Sequence, residues 1–572
     1  MTAVVVGSEE SARRIVSRPA VHCLVLGGLA FAITTFVLVR SAFARGQDWS
    51  FDSLGYHTTY GYASLFERSR LGYPMSLGAY FNPMLDAPLG WGVRHLTART
   101  VTIGIVIVQS AAIATAAALP WHCLTGRVVP AWNGRWQFGK TELLWAATYG
   151  LSAYISFGAL SRIQLGATWG DLTSALPAII ALHLLVGWVR SGSARMLLVA
   201  GALVGVACGL KYTNGPNLMG GAMFVTVVAL HRRDEAGTLR ACLRELRRFL
   251  VGCLVGAAVC LGPWAIVETV RFGNPLFPFG GRRFNHELIT TTGGYVDLGA
   301  TTFPIRSLGD FFGTPIRLLN RTTAITEFPV RDPRLLFAAC ACAIVLIVSV
   351  RTQLLERRSE EEGSTPTAER AVVLAFAFAA YWAVTYTAWA YLFGNGRYLE
   401  LVELLTPAMV CLAVVAATSW RGLESVRSNR RLLTSAVVLA VIMFAANPLT
   451  VSPDYGHVPF ARRWYDLNTS ALPTLRDAMV VVPYEFEPLD FVEFVLSPRS
   501  FVRLNVQLLP TRLGQREIRR VASYSGRIYS FQATNAGDPN LDVAGLRRTG
   551  LCYPVPLFQG YIYHLCELEK IR

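Results

Sequence analysis

FDSLGYHTTYGYASLFERSRLGYPMSLGAYFNPMLDAPLGW, residues 51–91, follows the first long apolar run of the chain. It carries Asp52, His57, Asn82 and Asp86, with Asp48 just before it, among many aromatic side chains and Pro/Gly corners. Charged groups beside a membrane boundary are costly to keep, so a loop that gathers them there is a candidate for chemistry. The apolar runs on either side of this loop decide the fold class.

The chain has 572 residues, of which 53% are hydrophobic and 16% charged, and its mean hydropathy is +0.39. A soluble chain carries roughly 25% charged residues, and apolar runs of about 18 or more read as membrane-spanning helices. Such runs recur near residues 21–39, 101–119, 143–160, 172–189, 196–213 and 216–230. They continue near 249–270, 335–350, 371–393, 403–419 and 432–447. The expected fold is therefore an α-helical polytopic membrane protein with about eleven transmembrane helices.

The net charge of +16 does not point to nucleic acid, because the cations sit in short loops between the apolar runs. Arg13, Arg14 and Arg18, then Arg127, Arg135 and Lys140, then the run from Arg232 to Arg248 fall on one expected side. Positive loops face the cytoplasm, which sets the N-terminus inside and the loops 41–100 and 271–334 outside. The first run lacks a small-residue cleavage site and reads as a retained helix.

From about Pro448 the long apolar runs stop, and short apolar strands such as AMVVVPY, RIYSFQA and GYIYHLCEL alternate with polar helical patterns. Residues 1–447 thus read as the transmembrane domain and 448–572 as a small extracytoplasmic α/β domain. Nine of the eleven cysteines lie in or beside spans and inner loops, where they act as small apolar residues. Cys552 and Cys566, in the tail, most simply form one disulfide in an oxidising compartment, and metal binding is the poorer reading.

Four external clusters have side chains suited to chemistry, and each also has a purely structural reading. A carboxylate at Asp52 or Asp48, beside His57, can take a proton from a hydroxyl; alternatively Asp52 caps the helix that starts at SLGYH. Asp171 in GATWGDLTSA can act as a second acid or bind a metal or a sugar hydroxyl, or it caps the next span. Lys211 in CGLKYTNGP suits a phosphate, or it snorkels to the interface. Arg397 in FGNGRYLELVELLTP offers a planar fork for phosphate, or it pairs with Glu400 or Glu403 nearby. No Walker loop, dinucleotide fingerprint, HExxH or CxxC pair occurs, so ATP-driven transport, nicotinamide chemistry and zinc proteolysis lack support.

These residues carry a resemblance. FDSLGYHTTYGYASLFERSR followed by YFNPMLDAPLGW resembles the first external loop of GT-C superfamily glycosyltransferases, more narrowly a bacterial multi-span glycosyltransferase-like group. GATWGDLTSA (166–175), GLKYTNG (209–215), FGNPLFPF (272–279) and GRYLELVELLTP (396–407) follow in the order such proteins show, covering about Ala42 to Pro407. The resemblance implies a GT-C-like fold in the bacterial cytoplasmic membrane and transfer of a sugar from a polyprenyl-phosphate-linked donor to a glycan or lipid-linked acceptor. It places Asp52 as general base, with Asp48 the second candidate, and Lys211, Arg397 and Tyr398 on the donor phosphate. His57, Asp171, Asn82 and Asp86 would line the sugar or acceptor. The loop has no close Asp-x-Asp pair, so no cofactor is expected and a divalent metal is not favoured. The rival readings are a lipid-linked saccharide flippase, an O-antigen ligase- or polymerase-like transferase, and a non-catalytic assembly subunit. A transporter would place its charges near the bilayer midplane, whereas these gather at span ends.

Overall fold

A computed structural model describes residues 18–66, 81–131, 139–232, 238–277, 307–356, 366–419, 428–446, 456–483, 491–504, 509–532, 539–556 and 562–571, with isolated positions between 284 and 305 and at 450. Helices occupy each of the places where a span is expected. By length and composition, however, only six among the described residues can cross a membrane: Val21–Arg45, Ala98–Thr125, Asp171–Ser191, Leu239–Phe272, Arg334–Arg351 and Ala371–Leu392. A seventh is counted if Gly396–Leu404 and Thr406–Thr418, bent by 46° to each other, form one span. The expected eleven is thus not confirmed. The helices Lys140–Ser156, Ala194–Leu210 and Gly215–His231 have 17 residues each. At about 1.5 Å per residue they reach roughly 25 Å, short of a hydrocarbon core about 30 Å thick.

The chain is an integral membrane protein, and its helices show why. Large apolar side chains such as Leu24, Phe36, Leu254 and Val259 remain exposed on the bundle's outside, while Leu185, Phe224, Phe249 and Phe378 fill its inside. A helix apolar all round needs a core on one side and lipid on the other. Between lipid-facing helices the hydrophobic effect gives little attraction, so close packing of small residues has to supply it. Gly201, Gly205 and Gly209, four residues apart on the Ala194–Leu210 helix, do this against Thr238–Phe272. A Cβ on Gly205 would stand 2.0 Å from the Cys253 carbonyl oxygen, and one on Gly201 2.1 Å from that of Phe249. This crossing fixes the helix that ends at Lys211.

The stretch 51–66 folds as one continuous helical segment with a π-helical turn over Ser53–His57, then Thr58–Phe66 as α-helix. Its partner is the helix Asp86–His95, and the two cross backbone to backbone through glycines. A Cβ on Gly61 would lie 1.8 Å from the Asp86 carbonyl oxygen, and one on Gly90 2.1 Å from the Tyr62 nitrogen. Gly90→Ala should therefore push these helices apart and cost at least about 1–3 kcal/mol. Thermal unfolding of the purified variant measures this, and an unchanged midpoint would contradict the crossing.

The C-terminal part is a five-stranded sheet in the order 500–503, 478–482, 527–532, 562–570, 546–556, the first three parallel and the last two antiparallel. Ala478–Val482 is buried on both faces, as a central parallel strand should be. Ala478, Val480 and Val482 face a cluster with Trp464, Phe491 and Phe531 that extends to Leu54, Val93 and Val101 of the bundle. Met479 and Val481 face the other way, onto Val521 of the helix Arg512–Ser523. The sheet is thereby seated on Leu54, Val93, Ala98 and Val101. Cys552 and Cys566 stand opposite each other on neighbouring strands and are joined as a disulfide.

Candidate active site

The site begins where the first helix stops. Gly46 takes φ +106°, a conformation that favours glycine, and a Cβ there would meet the Val458 carbonyl oxygen at 2.0 Å. The turn lets Gln47–Asp48 pair antiparallel with His457–Val458, tying the first loop to the C-terminal part. Asp48, fully buried, accepts from the Ser50 N–H at 2.8 Å, the Thr168 N–H at 2.7 Å and the Thr168 hydroxyl at 2.9 Å. Its oxygens are occupied in holding two loops together.

Asp52 is arranged differently. It opens the π-turn without a side-chain capping bond, so the capping alternative does not hold. Its Oδ2 instead accepts from Arg397 Nη2. Burial pushes the Asp52 carboxyl up, but the charge of Arg397, with smaller help from His57 and a hydrogen bond from Arg397, outweighs this and holds it below the ordinary carboxylate range. Arg397 lies in the 3-10 turn Gly396–Leu399, just before the 46° bend, where its N–H donates to Asn395 Oδ1 at 3.0 Å. Its guanidinium also lies 4.2 Å over the Trp169 ring and 3.9 Å from Asp171 Oδ2. Neither Glu400 nor Glu403 pairs with it: Glu400 accepts from Gln164, and Glu403 from Ser161 and the Leu160 N–H.

Asp171 is the first residue of the helix Asp171–Ser191, with Gly170 at the cap, so a carboxylate there also suits the helix dipole. Its Oδ1 pairs with Lys211 Nζ. Lys211 donates in addition to the Trp169 carbonyl oxygen at 2.7 Å and lies 5.7 Å over the Tyr398 ring. It therefore turns into the protein, not out to the interface as a snorkelling lysine would. Arg397 and Asp171 thus link Asp52 to Lys211 in one row of alternating charge. A buried row of this kind is held together by mutual compensation, and each member is costly to leave alone.

Beside the row lies a second pair. His57 Nδ1 is 2.7 Å from Asp86 Oδ1, and both side chains are buried. Asn82 does not join them. It donates to the Gly209 and Cys260 carbonyl oxygens at 2.7 and 3.1 Å, pinning the loop before Asp86 to the helices Ala194–Leu210 and Thr238–Phe272. Sequence reasoning missed Tyr56, Trp169 and Gln164. Burial and then the charge of Asp52 push the Tyr56 hydroxyl well above its ordinary range. Trp169 donates to Ser50 Oγ at 2.8 Å and forms the floor under Arg397. Its place two residues before Asp171 in GATWGD was the available signal.

Fold and site together define an integral membrane protein whose bundle, at the end that carries the C-terminal sheet, holds a buried row of paired charges. No protein-family model matches the chain, and no curated protein matches it. Among solved structures it is similar to ArnT from Cupriavidus metallidurans, determined bound to undecaprenyl phosphate. The identity is 14%, the match covers 96% of this chain and 98% of that one, and the TM-score is 0.46.

Proposed function

We propose that this protein transfers a sugar from a polyprenyl-phosphate-linked donor to a cell-envelope acceptor at the outer face of the bacterial cytoplasmic membrane. The observation that carries this reading is the Asp52–Arg397–Asp171–Lys211 row. It combines a carboxylate fit to be a base with two cations fit for a phosphate, buried at one end of the bundle. The positive loops of the sequence set that end outside.

The donor phosphate competes with the carboxylates for Arg397 and Lys211. When Arg397 turns to the phosphate, Asp52 loses its counter-charge and becomes more basic. It then takes the proton of the acceptor hydroxyl as that oxygen attacks the anomeric carbon. The bond from that carbon to the phosphate oxygen breaks with its electron pair, and the configuration inverts. Arg397 and Lys211 neutralise the charge that grows on the leaving phosphate, and the Tyr398 hydroxyl donates beside them. In this reading the two cations do the work that a divalent metal would otherwise do.

The test is binding and transfer with a panel of polyprenyl-phosphate-sugars, using wild type and Lys211→Ala. At least one donor should bind wild type and be turned over. Lys211→Ala should weaken that binding by about 10-fold or more, the worth of one charge-assisted hydrogen bond. Binding without transfer to any acceptor would move the reading to a flippase, and no binding at all would overturn it.

A further inference from the structure

One buried polar atom beside the charged row has no part in the reaction just described. His57 Nε2 is buried and has no hydrogen-bond partner among the described residues. An orphaned buried polar atom is costly and calls for a reason. Its ring is fixed from the other side. A carboxylate can only accept, so with Asp86 as carboxylate the 2.7 Å contact is a bond from Nδ1–H, and a neutral ring then carries its lone pair on Nε2. The backbone crossing at Gly61 and Gly90 sets Asp86 in place for this.

His57 also stands one turn after Asp52, on the same π-helical segment. Other titratable groups on the elements packed against its turn are Asp52 and Tyr56 on the turn itself, Tyr60 and Tyr62 on Thr58–Phe66, and Arg94 and His95 on the Asp86–His95 helix, with Tyr465 beside Thr58. The Tyr56 ring lies tilted 4.3 Å from the imidazole, Arg94 donates to the Tyr62 hydroxyl at 3.1 Å, and Tyr465 is hydrogen-bonded to Thr58. Asp86 is the carboxylate that holds the ring. A carboxylate, an oriented imidazole and a free nitrogen form the arrangement by which hydrolases move a proton.

We propose that the His57–Asp86 pair is a second proton-handling unit of the site, with His57 Nε2 taking the acceptor's proton on from Asp52. This rests on the transferase reading above. The hydroxyl proton passes to an Asp52 oxygen as the new carbon–oxygen bond forms, then through a bridging water to the Nε2 lone pair, since no Asp52 oxygen bonds Nε2 directly. Asp52 returns to carboxylate and can re-pair with Arg397 as the lipid phosphate leaves. The imidazolium is balanced by Asp86 and gives its proton to solvent before the next turnover.

The test uses full-length protein in lipid nanodiscs with a donor that wild type binds. His57→Gln should leave donor binding within about twofold, lower turnover about 10²-fold and abolish the acid limb of the pH profile. Added imidazole should restore part of the rate. Asp86→Asn should shift that limb to lower pH, because the imidazolium loses its counter-charge. A His57→Gln profile like that of wild type, or rates that imidazole does not raise, would overturn the proposal. Should the variants fail to fold, nitrogen-15 shifts of the wild-type ring decide it: a neutral ring with its proton on Nε2 is incompatible with the mechanism. Failure of the underlying reading shows separately, as wild type that binds or transfers no donor, and the proposal falls with it.

Discussion

Arg397→Ala should lose donor binding by about 10²-fold or more and transfer by about 10³-fold, and should also destabilise the protein by about 3–5 kcal/mol. The two effects share one cause. Arg397 holds Asp52 and lies beside Asp171, both buried, and its removal leaves two carboxylates with Lys211 as the remaining cation of the row. Arg397→Lys should recover part of the stability but little of the binding, since an ammonium cannot offer the same fork or stack on Trp169. Adding Asp52→Asn to Arg397→Ala should restore part of the lost stability, because it removes one of the uncompensated charges. Thermal unfolding and donor titration measure these effects. An Arg397→Ala protein with wild-type midpoint and wild-type donor affinity would contradict both the pairing and its role.

Asp52→Asn should have the opposite sign on binding. Its amide no longer competes as an anion for Arg397, so donor affinity should stay the same or rise, while transfer falls by about 10²–10⁴-fold for want of the base. A loss of donor affinity would show that Asp52 holds the donor rather than masking its site. The pH dependence of stability gives a second check. Because Arg397 keeps the Asp52 carboxyl below its ordinary range, the pair contributes stability above the unfolded carboxylate value of about 3.9. That contribution is lost as pH falls through the lower folded value, so Asp52→Asn should flatten the acid side of the stability curve.

The sequence was informative about which side chains need a partner and poor about which partner they find. Apolar runs located the helices, because burial in lipid demands a continuous stretch of about 18 or more apolar residues. They did not settle how many helices cross, since three 17-residue helices fall short on length. Asp52, Asp171, Lys211 and Arg397 stood out because ionisable groups near apolar runs are costly. Their near neighbours in sequence offered plausible local partners: a helix N-terminus for Asp52, Glu400 and Glu403 for Arg397. The structure uses none of these.

By itself the sequence determined a membrane-embedded helical chain, a small alternating sheet after it, and the residues able to do chemistry. Only the tertiary structure decided that Arg397 pairs with Asp52, 345 positions away, that Asp48 is spent on Thr168, and that Asp86 orients His57. Periodicity and hydropathy act along the chain, and a linear reading captures them. Ion pairs and hydrogen bonds act across space, and their geometry comes from the backbone approaches that the glycines at 61, 90, 201 and 205 permit.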